Sequence, residues 1–285
     1  MSQKFGGIWT VKKLAVLDDY LNFYTNALKD QPFTLHYVDA FAGAGEHSPA
    51  RVADQETLIP RADLTGSVET ALSIDRPFDQ YHFNEKDRAS IKELERIKAG
   101  HPNKKIEIRN EDANVFVPNF CAGMKWNDRA VLLLDPFSTQ LDWKTLKPVS
   151  STGKIDLRLL FPISVITRMT PRDGNRTKPE WKQTLDRLLG TNDWEEALYK
   201  PVIQTGDLFD DNAHVGQRIN VEEVGNWVTG RLKELFPFVA KPVLLKNNNR
   251  PLFLFYFAVS NHTDAARKLA RRATSFIVKS TTQAE

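Results

Sequence analysis

Apolar residues recur at Leu14, Leu17, Leu21, Tyr24 and Leu28, the spacing of one helical face, so a helix is predicted from Val11 to Lys29, ended by Pro32. Beyond it, short apolar runs alternate with helical patterns. The runs are Leu35 to Asp39, Phe78 to Asn84, Lys104 to Arg109, Ala130 to Leu134 and Ile155 to Phe161. The helical patterns between them are Ser67 to Ser73, Asp87 to Lys98 and Asn114 to Ala122. Strands alternating with helices read as βαβ units and a parallel sheet. The run from Ala130 to Leu134 is almost wholly apolar, as a central strand covered on both faces requires. After the fifth strand the pattern turns mostly helical, over Ile163 to Met169, Glu180 to Leu189, Asp193 to Tyr199 and Val221 to Phe236. Residues 163–236 are therefore expected as a helical insertion within one domain spanning 1–285. Two last strands, Val239 to Lys246 and Leu252 to Val259, flank Asn247-Asn248-Asn249-Arg250, where asparagines tolerate a hairpin turn. The hairpin makes the last of seven strands antiparallel, and a helix from His262 to Phe276 closes the chain.

Candidate chemistry gathers at the ends of these strands. The first runs from Leu35 into Asp39-Ala40-Phe41-Ala42-Gly43-Ala44-Gly45, a carboxylate followed by a turn of small residues. Gly43 and Gly45 admit positive φ and let a ligand approach bare backbone. A dinucleotide fingerprint would place a third glycine where this chain has Ser48. A small-residue turn beside a carboxylate suits S-adenosylmethionine better, since that ligand carries an ammonium and no phosphate. Residues 46–66 are polar and rich in turn formers, an expected insertion or lid. Glu85 follows the second strand, where such folds hold ribose hydroxyls, at about twice the ~20-residue spacing expected after the turn. Asp112 follows the third strand and doubles as a helix N-cap. Asp135-Pro136-Phe137-Ser138 follows the fourth.

The pattern Asp-x-Phe-x-Gly-x-Gly resembles the first motif of class I S-adenosylmethionine-dependent methyltransferases, above all those acting on nucleic acids. The resemblance implies a Rossmann-like class I methyltransferase fold with S-adenosyl-L-methionine as cofactor. It places Asp39 near the cofactor's ammonium, Phe41 against its adenine, Glu85 on its ribose and Asp112 on its base. Amino-methyltransferases carry Asp/Asn-Pro-Pro-Tyr/Phe after strand four. Asp135, Pro136 and Phe137 are similar, though the aromatic comes one position early and the second proline is absent. The implied reaction is methyl transfer to an amino nitrogen of a nucleic acid base, which stacks on the aromatic ring. Cytosine-C5 enzymes would need a cysteine just after strand four. The single cysteine, Cys121, lies upstream and reads as a small core residue. With Asp156-Leu157-Arg158-Leu159-Leu160-Phe161-Pro162, Leu185 to Trp194 and Phe257-Ala258-Val259-Ser260-Asn261-His262, these stretches resemble the three-Cys-motif partner protein family over nearly the whole chain. That resemblance implies a bacterial chain, a divergent methyltransferase, and a protein partner bearing the three-cysteine motif. A cofactor-binding scaffold without transfer is the alternative it leaves open.

Composition narrows the setting. The chain has 285 residues, 41% hydrophobic and 26% charged, ordinary for one large domain. It contains no apolar run near the ~20 residues of a membrane span, and no apolar stretch follows the N-terminus as in a signal peptide. A cytoplasmic location without membrane attachment is expected. One cysteine excludes an internal disulfide, and six histidines fall without metal-ligand spacing. A net charge of +3 does not by itself indicate nucleic acid. Positive charge does concentrate after strand five, at Arg168, Arg172, Arg176, Lys178, Lys182 and Arg187, and Arg168 and Arg172 are taken as substrate contacts through phosphate.

Overall fold

A computed structural model describes residues 8–43, 65–173, 177–200 and 216–282. Helix α1 (Ile8–Leu28) leads into β1 (Thr34–Asp39), then α2 (Thr65–Ser73), β2 (Gln80–Asn84), α3 (Arg88–Gly100), β3 (Ile106–Arg109), α4 (Ala113–Gly123) and β4 (Asp128–Leu134). A single 3-10 turn (Trp143–Thr145) and α5 (Leu146–Ser151) precede β5 (Ile155–Phe161). Next come α6 (Ile163–Met169), α7 (Pro179–Leu189), α8 (Trp194–Leu198), β6 (Tyr199–Lys200), β7 (Gln217–Arg218) and α9 (Val221–Leu235). The chain ends with β8 (Phe238–Val239), β9 (Val243–Asn247), β10 (Arg250–Val259) and α10 (Asp264–Thr282).

The main sheet runs β3-β2-β1-β4-β5-β10-β8, with β9 also paired to β10. The first five strands are mutually parallel, and β10 is antiparallel to β5, β8 and β9. This is a Rossmann-like α/β fold. The chain winds outward from β1 to β3, then crosses back to β4, so the crevice beyond the carboxyl ends of β1 and β4 is the topological switch point.

Strand alternation sorts the core into two layers. His36, Val38 and Ala40 of the first strand segment and Ala130, Leu132 and Leu134 of β4 face the side of α4 to α9, where Trp194 and Leu185 are fully buried. Leu35 and Tyr37, with Val131 and Leu133, face α1, α2, α3 and α10. Asp39 and Asp135 continue this second parity and so fall on the α1 side. Both faces of β4 are covered, the burial its apolar run foretold.

Two expectations are corrected, and a third difference is an element that the pattern does not mark. The main sheet has eight described strands and not seven, because the run predicted over Val239 to Lys246 is split into β8 and β9. Pro242 lies in that break and has no N–H to continue a ladder. The hairpin itself forms, with Asn248 and Asn249 both in the left-handed region (φ 46° and 61°). The second correction lies in the helical insertion, where Tyr199, predicted at a helix end, instead pairs with Arg218 in a two-stranded ribbon. The third is α5, which the sequence pattern does not reveal; Pro148 interrupts its periodicity, while Leu146 and Val149 anchor it in the core.

Candidate functional site

The turn after β1 is fastened to its neighbours by backbone and side chain. Ala42 donates its N–H to the Asn84 carbonyl at 2.9 Å, and Asn84 Nδ2 donates to the Ala40 carbonyl at 3.0 Å. Gly43 has φ 63°, and its N–H donates to Glu85 Oε2 at 2.9 Å. The other oxygen of Glu85 accepts the Asp87 N–H at 2.8 Å. Glu85 thus joins the turn after β1 to the turn after β2, and it is Asp87 that caps α3 through Ser90. Gly45, and the insertion expected beyond it, lie outside the described residues.

Asp112 caps α4, accepting the Asn114 N–H at 2.9 Å, and receives Lys86 Nζ at 2.9 Å. The Lys86 bond and the Asn114 N–H together hold its carboxyl below the usual range. Phe41, Glu85 and Asp112 line one cleft of about 690 Å³ at the switch point. Gln140, Asp142, Lys144 and Arg187 complete its far wall. Sequence reasoning missed Gln140, Asp142 and Lys144, which come from the segment after β4, and had Arg187 of α7 only as one of a run of positive charges. Arg187 is tied there by an ion pair to Asp142 and by a 2.7 Å bond to the Thr139 carbonyl.

Asp39 and Asp135 do not line this cleft; they sit beside it on the α1 side. Asp39 is fully buried and accepts Ser67 Oγ at 2.8 Å and the Phe41 N–H at 3.1 Å. Burial pushes its carboxyl up to about 7; the Ser67 bond opposes this, the charge of Asp135 adds to it, and the Phe41 N–H and Lys13 pull it down. Asp135 accepts Lys13 Nζ at 3.0 Å, and that lysine side chain is 2% exposed. No local pattern marks this ion pair, because Lys13 reads as one more polar residue on a helix. After Pro136 the backbone bends sharply, with Ser138 at φ 56°.

Phe137 is 36% exposed and lines a second cavity of about 510 Å³ with Arg168 and Trp181. Gln140 and Arg187 belong to both cavities, so the two adjoin. Arg172 is not there. It lines a separate hollow near Arg218 and the start of α9.

Near the amino ends of the same strands lies another polar group. His36 Nδ1 and His82 Nε2 are 3.1 Å apart, His82 Nδ1 is 3.0 Å from Glu107, and His36 Nε2 is 3.3 Å from Asp128. They border a groove of about 530 Å³ beneath α4. Burial, then the neighbouring His36, lowers the pKa of His82. Among the described residues no group of three metal-ligating side chains converges. Cys121 is buried, its thiol pushed up to about 12 by burial, which suits a core residue. No described helix is long and apolar enough to cross a membrane.

No family model matches the chain, and no curated protein matches it. Solved structures are similar in outline. The protein LPL1258 from Legionella pneumophila is 15% identical, with 61% of this chain and 73% of that one covered, at a TM-score of 0.38. The bifunctional kinase-methyltransferase WbdD is 11% identical over 88% of this chain and 39% of its own, at 0.42. Magnesium protoporphyrin IX methyltransferase from Synechocystis, solved with bound S-adenosylmethionine, is 9% identical over 87% and 80%, at 0.35. At such scores the likeness carries no argument about this site; strand order and side-chain geometry do.

Proposed function

We propose that this chain is an S-adenosylmethionine-dependent methyltransferase acting on an amino nitrogen, with a nucleic acid base as acceptor. One observation carries the cofactor half of the reading: the N–H of Gly43 is spent on the carboxylate of Glu85. A dinucleotide site would aim that N–H at a pyrophosphate. The group that fits is cationic and phosphate-free, with a diol and an adenine amine to offer. S-adenosylmethionine, which supplies an electrophilic methyl on a sulfonium, has that chemistry.

Each residue then has a defined task. Glu85, whose carboxylate retains lone pairs beyond the two backbone bonds, accepts ribose hydroxyls. Asp112 accepts the adenine amine at the mouth of α4, Phe41 supplies an apolar wall, and Asp39 faces the ammonium. Asp135 orients the target amine through the oxygen that Lys13 leaves free, and stabilises the positive charge that develops on it. Phe137 stacks on the acceptor, and Arg168 meets its phosphate. Catalysis is chiefly positioning, so no covalent nucleophile is required. Assignment to the three-Cys-motif partner family, with its bacterial cytoplasmic setting and a three-cysteine-motif protein as partner, rests on the sequence stretches alone.

The test combines titration calorimetry with S-adenosylmethionine and transfer of labelled methyl to single- and double-stranded DNA and RNA. Binding with transfer to one nucleic acid is expected, and Phe137→Ala should cut transfer more than about tenfold while cofactor affinity stays level. No binding at millimolar cofactor rejects the reading. Binding without transfer to any of the four nucleic acids, in either protein, favours the scaffold alternative.

A further inference from the structure

A lysine buried in the second turn of a helix is an expensive choice. Lys13 is 1% exposed and shares α1 with the buried Trp9, Leu17 and Tyr20, residues that would pack as well beside a methionine. Replacing a buried ion pair by apolar residues of similar size is often neutral or stabilising, so stability does not explain Lys13. Its address does. The partner, Asp135, begins the turn after β4, and Asp39 ends β1 on the adjoining strand and the same face. The ammonium stands 5.7 Å from the centre of the Trp9 ring, which covers one side of it.

We propose that Lys13 is the positioning residue of the site: its ammonium, held on Asp135 beside Asp39, fixes one carboxylate for the target amine and keeps the other ionised for the cofactor's ammonium. This rests on the methyltransferase reading. Among the described residues, the groups facing Asp39 are Lys13 from α1, Ser67 from α2, Asp135 beyond β4, and Tyr37 and the Phe41 N–H from its own segment. Of these only Lys13 carries positive charge. Without it, Asp39 stays protonated to higher pH and offers an ammonium no charge.

S-adenosylhomocysteine, which has the same ammonium, is the probe, titrated by calorimetry from pH 6 to 9. In the unaltered protein affinity should rise with pH, with a midpoint near the value of about 7 for Asp39. Lys13→Met should move the midpoint up by about one pH unit, a loss of about fivefold in affinity at pH 7, and Lys13→Arg should restore it. Asp135→Asn, which leaves the lysine to Asp39 alone, should move the midpoint down, and this arm stands if Lys13→Met does not fold. Unchanged midpoints in folded Lys13→Met or in Asp135→Asn overturn the proposal. Absence of binding by every protein at every pH overturns the methyltransferase reading, and this proposal with it.

Discussion

Two polar groups sit at opposite ends of the same parallel strands, and they are built differently. At the carboxyl ends, Asp39, Glu85 and Asp112 each take backbone N–H groups from a turn or a helix start. At the amino ends, Asp128, His36, His82 and Glu107 form a row across β4, β1, β2 and β3, joined mostly side chain to side chain. The difference follows from position. A side chain that ends a strand reaches the free amides of the following turn, whereas one within a strand has its own ladder satisfied and reaches chiefly its cross-strand neighbours; Asp128, at the start of β4, also accepts the Lys125 N–H. In the first arrangement Glu85 and Asp112 line a crevice, and Asp39 sits buried beside it. The second turns its side chains on one another across four strands, with His36 Nε2 left without a hydrogen-bond partner among the described residues.

Lys13→Ala should disturb the carboxyl end most. It leaves Asp135 without its cation and should cost about 3 kcal/mol in chemical denaturation, with most of the loss recovered in Lys13→Ala/Asp135→Ala. A full loss persisting in the double variant would show that the helix stem, and not the ion pair, carries the energy.

Next in size is Glu85→Gln. The amide still accepts one N–H but turns its NH2 toward the other, so a loss of about 2 kcal/mol is expected, together with weaker S-adenosylhomocysteine binding. At the histidine row no variant should alter that binding. His82→Gln changing ligand affinity by more than about twofold at pH 8 would erase the distinction between the two ends.

Their pH responses are opposed. The Asp39 carboxyl, and that of the half-buried Asp156, are raised from 3.8 to about 7, so each contributes stability that is full below 3.8 and is lost as pH rises through about 7. His82 is lowered from 6.5, so its contribution is present above 6.5 and is lost as pH falls through the folded-state value. Thermal melts of Asp39→Asn should flatten the decline between pH 5 and 7 by about 1 kcal/mol per unit, and His82→Gln should instead flatten the acid side. The smallest effect belongs to the exposed pair of Lys86, 73% exposed, with Asp112: Lys86→Ala should cost less than about 0.5 kcal/mol, and less still in salt.

How much of this was legible in advance depends on the range of the interaction. Periodicity and turn residues are local, and they marked β1 to β5, the crossover helices, the asparagine hairpin and the carboxylates that end the strands. The cap at Asp112 was readable because its partner, Asn114, lies two residues away. The short helix after Trp143 was hidden by Pro148. The break between β8 and β9 was hidden in a run that looks continuous until Pro242 is weighed for its missing donor.

Which residues end which strands is written in the chain's own pattern, because apolar run length and turn residues set where each strand stops. That was enough to name the carboxylates at the switch point. Their company came from long-range packing. Lys13 meets Asp135 across 122 positions and His36 meets His82 across 46, while Arg168 and Arg172, four residues apart, open into different cavities. Such pairings arise from how the layers close, and burial then gives them energies that no local pattern records.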